Sequence, residues 1–103
     1  LEQYRQGDVL IVKARKPCGE LRAVEPENGR VILAYGEATG HSHSVAADAA
    51  QLLEAPNGRR YLLVTQPTEL VHQEHGHIRL GAGYYEVVRQ REYSPEAIRN
   101  VAD

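Results

Sequence analysis

Pro56-Asn57-Gly58-Arg59-Arg60-Tyr61-Leu62-Leu63-Val64-Thr65 sets a turn directly against a strand. Proline presets φ, and an Asn-Gly step supplies the positive-φ positions that tight turns need. The residues that follow alternate: Tyr61, Leu63 and Thr65 point one way, Leu62 and Val64 the other. Reading downstream, Pro67 interrupts this strand, and Thr68 to Gln73 forms a short one with Leu70 and His72 on a common face. Gly76 breaks the direction, His77 to Leu80 resumes it, and Gly81-Ala82-Gly83 turns again. Tyr84 to Tyr93 is then a long strand with Tyr85, Val87, Arg89, Arg91 and Tyr93 on one face. Reading upstream, Ala46 to Glu54 suits a short helix as well as a strand, its Asp48 and Gln51 resembling a capping box. Before it lie His41-Ser42-His43-Ser44-Val45 and the strand Val31 to Tyr35. A second Asn-Gly turn occupies Pro26 to Gly29, a short strand Leu21 to Val24, and a β-branched strand Gly7 to Ala14.

Turns recur about every dozen residues, and no stretch carries a long helical period, so the expected fold class is all-β. Antiparallel hairpins make a small antiparallel β-sandwich or a partly open β-barrel, spanning residues 1–103 as a single domain. Ser94-Pro95-Glu96 is a helix-start pattern, with a serine cap and proline at the first helical position. It predicts a short C-terminal helical turn over 97–101 that must dock on the sheet to persist.

Composition narrows the function classes. Of 103 residues, 42% are hydrophobic and 25% charged, a balance that suits a globular chain. With no Trp, Phe or Met, the core must be aliphatic with tyrosines at its edges. The net charge of -2 argues against nucleic acid as the main partner. The single cysteine, Cys18, excludes both a disulfide framework and a thiolate-rich metal site. No apolar run approaches the ~20 residues of a membrane helix, and the first residues lack signal-peptide character. A cytoplasmic protein is expected.

All five histidines fall between Gly40 and His77. His41 and His43 are two apart, so an extended backbone points them to one side. His72 and His75 are three apart and need a bend to converge, which Gly76 makes feasible. Imidazole is a neutral ligand for divalent transition metals, here Zn, Fe or Ni. Two clusters on separate segments can close over one ion, so the expected ligands are His41, His43, His72 and His75, with His77 in reserve. Glu74, between two of them, is the candidate catalytic residue, as base, ligand or acceptor of an imidazole N–H. Glu37 has a similar but weaker claim, and Thr39 and Ser44 can hydrogen-bond ligand rings. His72-Gln73-Glu74-His75 has only two residues between its histidines and no helix beneath them, so it is not the helical zinc-protease motif.

Two resemblances follow from these motifs. Gly36 with Gly40-His41-Ser42-His43 is similar in broad character to the first motif of the cupin superfamily, which implies a small metal-binding β-barrel. The Glu expected after that motif is missing, and no His follows Gly81-Ala82-Gly83. Over residues 31–103 the chain also resembles a family of small uncharacterised bacterial β proteins, through Thr39-Gly40-His41-Ser42-His43, His72-Gln73-Glu74-His75, Gly83-Tyr84-Tyr85 and Gln90-Arg91-Glu92-Tyr93. That likeness implies no activity.

The leading functional expectation is therefore a small metal-binding β protein of unknown reaction and substrate. The competing one is a non-catalytic module that forms a homodimer or binds a protein through the tyrosine-rich strand. A lower-ranked reading binds single-stranded nucleic acid through Arg89, Arg91 and Tyr93.

Overall fold

The computed structural model describes residues 2–36 and 40–89. Every regular element among them is a strand, ten in all: β1 (Gln3–Gln6), β2 (Val9–Ala14), β3 (Arg22–Val24), β4 (Arg30–Tyr35), β5 (Ser42–Ala46), β6 (Ala50–Glu54), β7 (Arg60–Val64), β8 (Thr68–Leu70), β9 (Ile78–Leu80) and β10 (Gly83–Arg89). The helical turn expected over 97–101 lies outside the described residues, as do Glu37, Thr39, Arg91 and Tyr93.

Six strands form one sheet in the order β1-β2-β10-β7-β6-β3, while β4-β5 and β8-β9 form two-stranded sheets. All the pairings are antiparallel. The large sheet ends in the edges β1 and β3, so the all-β expectation holds but no barrel closes. One apolar cluster joins the three sheets. Val9, Ile11, Leu52, Leu62, Val64, Tyr85 and Val87 come from the large sheet, Val31, Leu33 and Val45 from β4 and β5, and Leu70 and Leu80 from β8 and β9. The alternation read in 61–65 is kept, with Leu62 and Val64 inward. Tyr85 is also inward, its hydroxyl donating to the Gly81 carbonyl at 2.8 Å.

Turn chemistry explains most of the hairpins. Gly7, at φ +60°, occupies the first place of the two-residue loop Gly7-Asp8 between β1 and β2, where Gln6 pairs Val9. β1 thus precedes the strand expected from Gly7, which itself begins at Val9. Pro56-Asn57-Gly58 is the three-residue loop of the β6–β7 hairpin, with Gly58 at φ +89° after a turn closed by Gly58 N–H to the Ala55 carbonyl at 2.9 Å. Ala46 to Glu54 resolves its ambiguity as a turn over 47–49 followed by β6. Tertiary pairing decides it: β6 lies between β7 and β3, and Leu52 and Leu53 are buried there.

At Asn28-Gly29 the local reading was right and the expected hairpin was not. Both residues have positive φ, and Glu27 and Arg30 exchange two backbone hydrogen bonds across them. Pairing stops there. β3 joins β6 in the large sheet and β4 joins β5, so this turn hands the chain from one sheet to another.

Candidate functional site

The histidines meet where β5 crosses the segment between β8 and β9. Ser44 and Val71 exchange both backbone hydrogen bonds, at 3.0 and 2.9 Å. Continued by one residue, that antiparallel register sets His43 opposite His72 in a non-hydrogen-bonded pair, the kind whose side chains approach most closely. Their ring centroids are 4.3 Å apart. A bend over 73–75 then carries the chain back, and His75 lies 4.6 Å from His72 and 6.1 Å from His43, the latter pair stacked. His41 lies 5.8 Å from His72. The four rings expected to gather do so. His77 stands apart, exposed, with its Nδ1 3.4 Å from Glu69 Oε1.

Backbone and glutamine contacts hold the segments together. Gly36 N–H donates to the His41 carbonyl at 2.8 Å, extending the β4–β5 ladder. Gln73 reaches across the bend: its Oε1 accepts the Ser42 N–H at 2.9 Å, and its Nε2 donates to the Gly40 carbonyl at 3.3 Å, so one side chain brackets His41. Two glycines let the rings pack. A Cβ at Gly36 would lie 3.0 Å from both His41 Cβ and His72 Nε2. A Cβ at Gly7 would lie 2.8 Å from His75 Nε2 and 3.3 Å from His43 Cε1.

Gln6, 2% exposed, sets the proton on His43. Its Nε2 donates to the carbonyls of Leu70 (3.1 Å) and Gly76 (2.8 Å), which can only accept. That identifies the amide end, so Oε1 must be the atom 2.8 Å from His43 Nδ1, and Nδ1–H must donate to it. In the neutral ring the lone pair is then on Nε2. His72 has the opposite arrangement. Its Nδ1 accepts the Glu74 backbone N–H at 3.0 Å, leaving the proton on Nε2.

Burial pushes the His43 pKa down to about 4, with the neighbouring His72 adding to the effect against the opposing charge of Asp8. Burial, then His75 and His41, also lower that of His72. Both rings are thus neutral at pH 7, the state in which imidazole ligates metals. His41 Nδ1 lies 2.9 Å from Glu74 Oε2 but off the line a hydrogen bond needs, and it is a buried nitrogen with no hydrogen-bond partner. Glu74 itself is exposed, as is His75, so the site runs from a buried floor of His43 and His72 to an open rim.

Asp8 completes the surroundings. Its Oδ1 is 3.5 Å from His43 Nε2, and its Oδ2 accepts from Arg89 Nε at 3.0 Å. Burial alone would raise the Asp8 pKa, but the hydrogen bond and charge of Arg89 outweigh it and hold the carboxyl below its usual range. Arg89 also donates to the Tyr35 carbonyl at 2.6 Å. Of the other expected binding residues, Tyr84 and Tyr85 lie in β10, which is central between β2 and β7 rather than at an edge. Ser44 hydroxyl accepts from Arg30 at 3.2 Å and does not touch a histidine ring through a hydrogen bond.

As the side chains stand, no three His, Cys, Asp or Glu groups among the described residues converge so as to hold a metal ion. In this arrangement His43 presents its Nε2 lone pair, whereas His72 has Nδ1 committed to the Glu74 amide. Gln6, Gly7, Asp8 and Gln73 had no expected role at the site, and Gly36 entered only through the resemblance to a cupin motif. The Gly7-Asp8 turn was the one local signal available, since the burial of Gln6 depends on contacts 64 and 70 residues away.

A small, open, all-antiparallel β domain with a histidine cluster at one sheet crossing defines the class. The chain belongs to the family described as a domain of unknown function (DUF8820), whose model matches residues 5–90. That span includes all five histidines, Gln6 and Asp8. No curated protein matches the chain, and no solved structure does. The expected likeness to uncharacterised, mostly β proteins holds at that level, and nothing found ties the chain to the cupin superfamily. Among the described residues no helix is long and apolar enough to cross a membrane.

Proposed function

We propose that this domain binds one divalent transition ion at the crossing of β5 with the β8–β9 connection, with ligands drawn from His41, His43, His72 and His75. The observation that carries the reading is the approach of four imidazoles from two separate segments, with neighbouring ring centroids 4.3 to 5.8 Å apart. Two supports accompany it. Gln6 holds the His43 proton on Nδ1, an arrangement in which a ligating histidine's other nitrogen donates outward. The two buried rings are also held neutral.

Binding requires the side chains to move. His72 uses Nδ1 only after releasing the Glu74 amide, or else remains beside the shell as a donor through Nε2. The exposed His75 and Glu74 lie on the open rim, where water or a substrate oxygen can reach the ion. There Glu74 would take a proton or fix His41. Zn, Fe and Ni all accept such a nitrogen-rich set.

The test is a metal titration of untagged protein, comparing wild type with His43→Ala, His75→Ala and the double variant at pH 7.5. Each single change should weaken binding by about tenfold or more. The double variant should lose little beyond that, because members of one shell are not additive. Small additive losses, or no transition metal taken up by the wild type, would overturn the reading.

A further inference from the structure

Two acceptors face each other in this site with no proton assigned between them. Gln6 places the proton of neutral His43 on Nδ1, so Nε2 carries a lone pair, and 3.5 Å away stands Asp8 Oδ1. A carboxylate opposite an imidazole lone pair is a repulsive contact in a half-buried place, and a cation between them converts it into two bonds. The spacing fits: ligands about 2.0–2.1 Å from a tetrahedral ion are separated by about 3.4 Å.

From this we infer that Asp8 is a ligand of the ion through Oδ1, making the shell a mixed imidazole–carboxylate one. The inference rests on the metal-binding reading of the histidines and adds a group that lies 33 residues before the first of them. The local fold supports it in three ways. The β1–β2 turn delivers Asp8 from a third segment, so the donors come from more than one side. Gly7, next to it, has no Cβ where one would stand 2.8 Å from His75 Nε2 and 3.3 Å from His43 Cε1, which keeps the space between the two rings open. Arg89 binds the other oxygen, Oδ2, at 3.0 Å, so it orients the carboxylate without occupying the atom that faces His43. Arg89 is thus a positioning residue, of the kind that commonly holds a ligating carboxylate. An oxygen donor among imidazoles favours Zn(II), Fe(II), Ni(II) or Mn(II) over soft Cu(I).

Cobalt(II) is the probe, because its visible bands report the donor set as well as occupancy. Wild type, Asp8→Asn, Asp8→Glu, Arg89→Lys and His43→Ala are titrated, with far-UV circular dichroism to check folding. The expected result is a loss of roughly a hundredfold in affinity for Asp8→Asn, with shifted bands, against about tenfold or less and unshifted bands for Arg89→Lys. Asp8→Glu keeps the charge and the Arg89 partner, and should bind with weaker affinity and altered bands. Asp8→Asn binding with wild-type affinity and bands, while His43→Ala loses cobalt, would refute the role of Asp8 and leave the histidine site standing. If Asp8→Asn fails to fold, wild-type bands and affinity in Asp8→Glu refute it equally. A wild type that takes no cobalt at all removes both readings.

Discussion

Gln6 serves three partners with one amide: two backbone carbonyls and the His43 ring. It turns a histidine that could titrate into one with a fixed tautomer, and burial does the rest by lowering the His43 pKa to about 4 from its usual 6.5. Between those values the unfolded chain binds more protons than the folded one, so stability rises with pH there. The contribution is complete above about pH 6.5 and disappears as pH falls through about 4, a loss on the order of 3 kcal/mol. Urea unfolding of wild type and His43→Leu from pH 7.5 to 4 should show this as a steeper acid loss in the wild type. Parallel curves would mean that His43 is not held neutral. Gly7 offers a second check at this scale. Its φ of +60° is costly for any residue with a Cβ, and the added methyl would press on His75. Gly7→Ala should cost about 1–2 kcal/mol in chemical unfolding. A neutral effect would show that the β1–β2 turn is not rigid.

Among the elements, the Ser44–Val71 bridge matters most to the site. Two backbone hydrogen bonds decide that His43 faces His72 rather than a neighbour one step along, and a one-residue slip would turn the histidines to opposite faces. Val71→Pro removes the donor of one of these bonds. The Ser44 carbonyl retains Arg30 as a donor at 3.2 Å, but the proline ring would press on that carbonyl, so the stability cost should exceed the roughly 1 kcal/mol of the lost bond. Metal affinity should fall by about tenfold or more, because the registry of the two segments is lost. An unchanged affinity would show that the bridge is not what aligns the rings. β5 was legible as a strand that points His41 and His43 together. A bend near Gly76 was expected from the three-residue spacing, but it comes earlier, over 73–75, and the strand expected to reach Gln73 ends at Leu70. That the two segments would pair, and in which register, was not, because neither carries any mark of its partner.

At the scale of the molecule, three sheets share a single core. Leu52 and Leu62 of the large sheet and Leu70 and Leu80 of β8 and β9 are all fully buried in it. A two-stranded hairpin such as β8–β9 has little stability of its own, so it should unfold with the rest. Leu70→Ala is expected to cost about 2–5 kcal/mol. Unfolding followed by far-UV circular dichroism and by tyrosine near-UV signal should give coincident transitions in both proteins. An early separate transition in the variant would mean that the small sheets are independent of the large one.

Local chemistry was readable in the chain itself. Alternation in Tyr61 to Thr65, the Asn-Gly turns and the absence of a helical period determine an all-β protein, because strand period and turn dihedrals depend on near neighbours. The spacing of His41 and His43 likewise determines their common direction. Partner choice depended on burial across the whole chain. Only the tertiary structure decided that β3 and β4 part at a well-formed turn, that the ambiguous 46–54 stretch holds a strand, that the tyrosine strand is central, and that Gln6 and Asp8 stand beside the histidines. Each of these rests on contacts between residues far apart in sequence, whose apolar burial and hydrogen bonds no local pattern encodes.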